Sequence, residues 1–176
     1  MKEKGGKLRF RERLFLIITV TLLGGYFSAV NAQVLPPRPV IVTPNPAQPL
    51  SFGAFTPGLN GGTVTVYPDG SPRSSTGDVV LFGLGYVSSP AMFYIRANPG
   101  TIISLLGNPP VTLTGSGGGT LSLQIGATLP AMPFVTSVPW QMQTTLLVGG
   151  TLTIADIGAN PPGNYTGTFS ITVIQE

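Results

Sequence analysis

The sequence predicts an all-β fold, an antiparallel sandwich or barrel carried by a single domain. Beyond residue 32 the chain breaks into about eight short apolar or alternating runs, spaced at about 8–12 residues and punctuated by Gly, Pro, Asn and Asp. No window there shows a helical apolar period with capping residues. The chain holds 24 Gly and 18 Pro, and only 9% of it is charged, against about 25% in ordinary domains. Regular alternation of β-branched residues and a net charge near zero separate this composition from charge-driven disorder. At 176 residues there is room for one hydrophobic core.

The first 32 residues read as an export signal. Lys2, Lys4, Lys7, Arg9, Arg11 and Arg13, against Glu3 and Glu12, form a basic start. An apolar run without a charge covers residues 14–30, and the small residues Ala29-Val30-Asn31-Ala32 close it. Cleavage after Ala32 is expected, giving a mature chain that begins at Gln33 and is exported to the periplasm, cell surface or medium. No later stretch is long and apolar enough for a helical span, so no membrane segment is expected after cleavage. Of the net charge of +3, the first 32 residues supply +4 and the rest −1. The positive charge belongs to the leader, so no nucleic-acid partner is expected.

Residues 33–49 are a Pro-rich extension, and residues 50–176 the β domain. Within the extension Val40-Ile41-Val42-Thr43 is the one window able to pair, either inside its own domain or with a neighbour. Thr63-Val64-Thr65-Val66-Tyr67 alternates and ends in the turn Pro68-Asp69-Gly70-Ser71-Pro72. Strands are then expected over 79–82, 92–96, 101–106 and 111–114. Gly115-Ser116-Gly117-Gly118-Gly119 reads as a hairpin tip before the alternating strand 121–125. Residues 127–140, with three prolines, have no clear pattern. Two strands, 146–148 and 151–154, flank Gly149-Gly150. After the turn Asn160-Pro161-Pro162-Gly163-Asn164 comes the longest expected strand, residues 165–174, with Phe169, Ile171 and Val173 on one face.

Little chemistry is on offer. The chain has no His and no Cys, which excludes disulfides, thiolate and imidazole catalysis and most zinc sites. Beyond residue 32 it has no Lys, so a phosphate-binding P-loop is excluded as well. The carboxylates Asp69, Asp78, Asp156 and Glu176 show neither a paired acid–base spacing nor a calcium-loop spacing. No enzyme activity, cofactor or metal is expected. Trp140 is the one Trp; it reads as a core residue or as the face of a sugar site with Phe134 and Tyr165.

Three motifs carry a resemblance. Leu50-Ser51-Phe52-Gly53-Ala54-Phe55 is followed by Gly61-Gly62-Thr63-Val64. Val148-Gly149-Gly150-Thr151-Leu152-Thr153-Ile154 comes second. Pro162-Gly163-Asn164-Tyr165-Thr166-Gly167-Thr168-Phe169 opens the third, which runs to Val173. In this order, behind a signal peptide, they resemble the bacterial family of domain of unknown function 4402. More distantly, the closing pattern resembles the last strand of archaic chaperone–usher pilins and spore-coat U-like fimbrial subunits. That resemblance implies an immunoglobulin-like sandwich completed by a strand from another subunit.

The expected function is that of a secreted structural or adhesive subunit, fimbrial or pilin-like, working by β-strand pairing. Its partners would be copies of itself or other fimbrial-type subunits, with a periplasmic chaperone. Val40 and Val42 are the candidate donated positions, and Phe169, Ile171 and Val173 the candidate accepting ones. The alternative is an extracellular carbohydrate-binding sandwich using Trp140.

Overall fold

The computed structural model describes residues 38–107 and 109–176. The expected signal peptide and its cleavage site lie outside the described residues. Among the described residues there is no helix, and none long and apolar enough to cross a membrane. The strands run in chain order as β1 (Ile41–Pro44), β2 (Ser51–Phe52), β3 (Ala54–Thr56), β4 (Gly62–Val66), β5 (Ser74–Gly77), β6 (Val80–Phe82), β7 (Ser88–Ser89), β8 (Ala91–Arg96), β9 (Ile102–Leu105), β10 (Val111–Gly115), β11 (Thr120–Leu129), β12 (Phe134–Val135), β13 (Thr144–Ile154), β14 (Tyr165–Thr166) and β15 (Val173–Gln175).

All pairings are antiparallel, as the alternating, turn-rich sequence predicts. The largest sheet has the order β1-β8-β13-β11-β10-β14, and a second sheet has the order β12-β9-β15. Inward positions alternate along each strand. Val64 and Val66 come from β4, Phe93 and Ile95 from β8, Leu121, Leu123 and Ile125 from β11, and Leu146, Val148, Leu152 and Ile154 from β13. Ile103 of β9 is buried among them, and Phe169, Ile171 and Val173 pack onto the same core. Phe93 and Phe169 meet edge to face, with ring centroids 6.1 Å apart and planes at 72°.

The pairing order gives the architecture of an immunoglobulin-like sandwich. In that fold one sheet has the strand order A-B-E-D, and the other contains C, F and G. Here β1, β8, β13 and β11 stand in the A, B, E and D places. The stretch holding β9 and β10 takes the C place, and that holding β14 and β15 the F place. Residues 50–90 are inserted between A and B. They carry the two-stranded ribbons β2–β7 and β3–β6 and the pair β4–β5, which joins the end of β13.

One difference from expectation lies in β13. Residues 146–148 and 151–154 are not separate strands; one strand runs straight through Gly149-Gly150. One edge of β13 pairs β8 up to Val148 and then β4 from Gly150, so the change of partner falls at Gly149. A Cβ on Gly149 would collide with the carbonyl oxygen of Val66. The glycine pair therefore permits close approach of a neighbouring strand and does not form a turn. Opposite it, β11 carries a bulge between Ile125 and Thr128. Bulge and glycine together bend the sheet, so that β11 and β10 curl toward the second layer.

The N-terminal window takes one of the two pairings open to it. Residues 41–44, expected within an extension, form β1 and pair with residues 93–96 of β8 in the same chain. Val40 and Val42 are half-buried against the domain's own core and are not ladder partners of Phe169, Ile171 or Val173.

Candidate functional site

A further difference from expectation creates the candidate site. Residues 165–174 do not form one continuous strand: β14 pairs β10, β15 pairs β9, and residues 167–172 between them are unpaired in the ladder. Their side chains still alternate, with Phe169 and Ile171 half-buried and Thr168, Ser170 and Thr172 exposed. The cause lies in the facing chain. β9 and β10 lie consecutively along the last strand, Leu105 opposite Val173 and Thr114 opposite Thr166. The stretch joining them holds Pro109 and Pro110, which have no N–H to donate. The last strand is thus fastened at both ends and loose in the middle.

Its start is fixed by Tyr165, whose hydroxyl donates to the carbonyl of Pro161 at 2.8 Å, with a longer contact to that of Gly118 at 3.3 Å. This is the tyrosine corner found before strand F of immunoglobulin-like domains. The buried Asn160 braces the same corner. Its Oδ1 accepts from the Ala155 N–H at 2.6 Å, and its Nδ2 donates to the Thr120 carbonyl at 2.8 Å. A Cβ on Gly167 would crowd the Thr112 carbonyl and Leu113, so this glycine keeps the strand close against β10.

The backbone of the last strand has two edges. The Leu106 N–H donates to the Thr172 carbonyl at 2.9 Å, and the Glu176 N–H to that of Ile102 at 3.1 Å. Thr172 and Glu176 therefore direct their backbone groups toward β9. Val173, between them in the ladder, points its N–H and C=O to the opposite edge, and the alternating burial of the side chains puts Phe169 and Ile171 in the same phase as Val173. Among the described residues no strand pairs with that edge: β14 and β15 are each terminal in their sheets. It is the place that strand G fills in a complete immunoglobulin-like sandwich.

The remaining motif residues are architectural. Gly61, at a φ of 64°, and Gly62 abut Ala155 and Thr76. Thr63 shares a hydroxyl contact of 2.7 Å with Thr76, and Val64 is fully buried. Thr151 bonds Thr65 at 2.9 Å across the β4–β13 ladder, so the first two motifs are partners in one pair of strands. Thr168 lies exposed on the loose stretch. Arg73, unremarked in the sequence, clips the β3–β6 ribbon by donating to the carbonyls of Phe52, Ala54 and Phe82.

Each of the four carboxylates among the described residues is engaged locally. Asp69 accepts from the Ser71 N–H at 2.9 Å, and this bond and the Ser71 side chain hold its carboxyl below the usual value. Asp78 accepts from both nitrogens of Asn60, Asp156 from the N–H groups of Gly158 and Ala159, and Glu176 from the Ser104 hydroxyl. Among the described residues no three metal-binding side chains cluster.

A family model described as Domain of unknown function (DUF4402) matches residues 42–174. The chain belongs to the DUF4402 family. In this DUF4402 domain the matched span runs from β1 into β15, and so takes in the open edge. No curated protein and no solved structure matches the chain.

Proposed function

We propose that the protein is a secreted structural or adhesive subunit that associates by accepting a β-strand from another subunit. The observation that carries this reading is the open backbone edge at Phe169, Ile171 and Val173, in a sandwich whose described strands fill the A to F places. An added strand would supply hydrogen bonds to that edge and lay alternate side chains over the core face on which Phe169 and Ile171 are only half-buried. The partner is a second copy or another fimbrial-type subunit, with a periplasmic chaperone covering the edge before assembly. Because β1 is paired in its own domain, the donated segment on this reading is not the window 40–43.

Amide hydrogen exchange tests it on the mature protein, residues 33–176. The amides of Phe169 and Ile171 should exchange fast in the dilute monomer and become protected on assembly. Protection already present in the monomer, or none gained on assembly, would refute the reading.

A further inference from the structure

The end of β8 lies beside two side-chain pairs that strand pairing does not use, Arg38 with Trp140 and Arg96 with Gln143. β1 and β13 flank β8, and both begin beside its last residues: Ile41 stands opposite Arg96, and Thr144 opposite Ile95. The stretches leading into these two strands therefore meet over the end of β8. One brings Arg38. The other brings Trp140, on a turn closed by the Met142 N–H donating to the Pro139 carbonyl at 2.8 Å. The Arg38 guanidinium carbon lies 5.3 Å from the centroid of the half-buried Trp140 ring, a cation–π contact. Arg96, exposed, is held by a neutral group: the Gln143 amide oxygen accepts from its Nη2 at 2.8 Å and its Nε at 3.2 Å.

Charge decides what such a corner suits. Among the described residues, the four carboxylates bond elsewhere, to Ser71, Asn60, Gly158 with Ala159, and Ser104. Arg73 donates to carbonyls. Among the described residues Arg38 and Arg96 are thus two cations without a carboxylate, Arg38 on the Trp140 ring and Arg96 on Gln143 three residues further along, in a part of the chain whose net charge is −1. Among the described residues neither the Arg38 guanidinium nor the Trp140 indole N–H has a hydrogen-bond acceptor. The corner is rich in donors and positive, with the exposed amides of Gln141 and Gln143 at its rim.

We infer that this corner binds a carboxylated saccharide, of the uronate class. A guanidinium fork matches a carboxylate through two parallel N–H···O bonds. The indole and the two amides suit a ring bearing hydroxyl groups. A neutral sugar would have to displace Arg38 from the Trp140 face without offering it a charge. This binding uses none of the residues of the open edge, Phe169, Ile171 and Val173.

Because Trp140 is the only Trp, intrinsic fluorescence of the mature protein reports on this corner directly. Titration with tetragalacturonate should shift the emission saturably, and the fully methyl-esterified tetramer, with the same rings and no charge, should not. Arg38→Gln and Arg96→Gln should each weaken binding by at least about tenfold, and added salt should weaken it too. Arg96→Lys, which keeps the charge and loses the fork, should fall between wild type and Arg96→Gln. Thermal midpoints of the variants identify any that fail to fold, and the remaining variants then decide. An equal response to the methyl ester would overturn the inference. So would no response to the acid, unchanged affinity in folded variants, or a response to polyglutamate alone.

Discussion

The hydroxyl of Tyr165 donates to the carbonyl oxygen of Pro161, four residues upstream and 2.8 Å away, and this bond sets the corner from which the last strand departs. Tyr165→Phe removes the bond and keeps the ring. It should lower stability by about 1 kcal/mol, the usual net value of a neutral hydrogen bond. Chemical denaturation of the two proteins measures the difference.

The edge-to-face pair of Phe93 and Phe169 joins β8 to the loose stretch of the last strand. Phe93 is buried, whereas Phe169 is only half-buried. Phe93→Ala should therefore cost about 3–5 kcal/mol, and Phe169→Ala distinctly less. Equal losses would mean that the last strand is as well packed as the centre of the sandwich.

Gly149 marks where β13 changes partner from β8 to β4. Gly149→Ala should destabilise by about 1–3 kcal/mol, because the methyl group meets the Val66 carbonyl and Pro68. Gly70, with open space around its Cβ position but a φ of 79°, gives a contrasting case. There the cost of alanine is one of backbone conformation alone. Thermal unfolding of both variants compares the two effects.

The Asp69 carboxyl has its pKa lowered from 3.8, first by the Ser71 N–H and then by the Ser71 side chain. A group with a lowered folded pKa contributes stability above its unfolded pKa and loses it as pH falls through the folded one. The advantage of wild type over Asp69→Ala should hold at neutral pH and shrink as the pH falls below 3.8. The effect is small, since the group is fully exposed.

Local pattern made much of this fold readable in advance. Val64, Val66, Leu121, Leu123 and Ile125 alternate in the sequence and are buried in the structure. What escaped depends on partners distant in sequence. Gly149-Gly150 has the composition of a turn, and only the arrival of β4 at that edge shows why the strand passes through it. Residues 165–174 alternate like a complete strand, yet Pro109 and Pro110 opposite leave their middle unpaired. Val40 and Val42 could pair inside or outside the chain, and nothing local to them chooses β8. At the candidate site, Phe169, Ile171 and Val173 were legible as one face. That the edge beside them has no neighbouring strand among the described residues shows only in the pairing, where β14 and β15 are terminal.

The proposed strand-accepting edge is tested most directly by the size of residues 33–176, measured by light scattering over rising concentration. Ile171→Pro removes the N–H that points to the open edge, while Ile171→Val keeps it. Wild type and Ile171→Val should form larger assemblies, and Ile171→Pro, if folded by circular dichroism, should remain monomeric. Strictly monomeric wild type under all these conditions, or assembly unchanged in Ile171→Pro, would contradict the account.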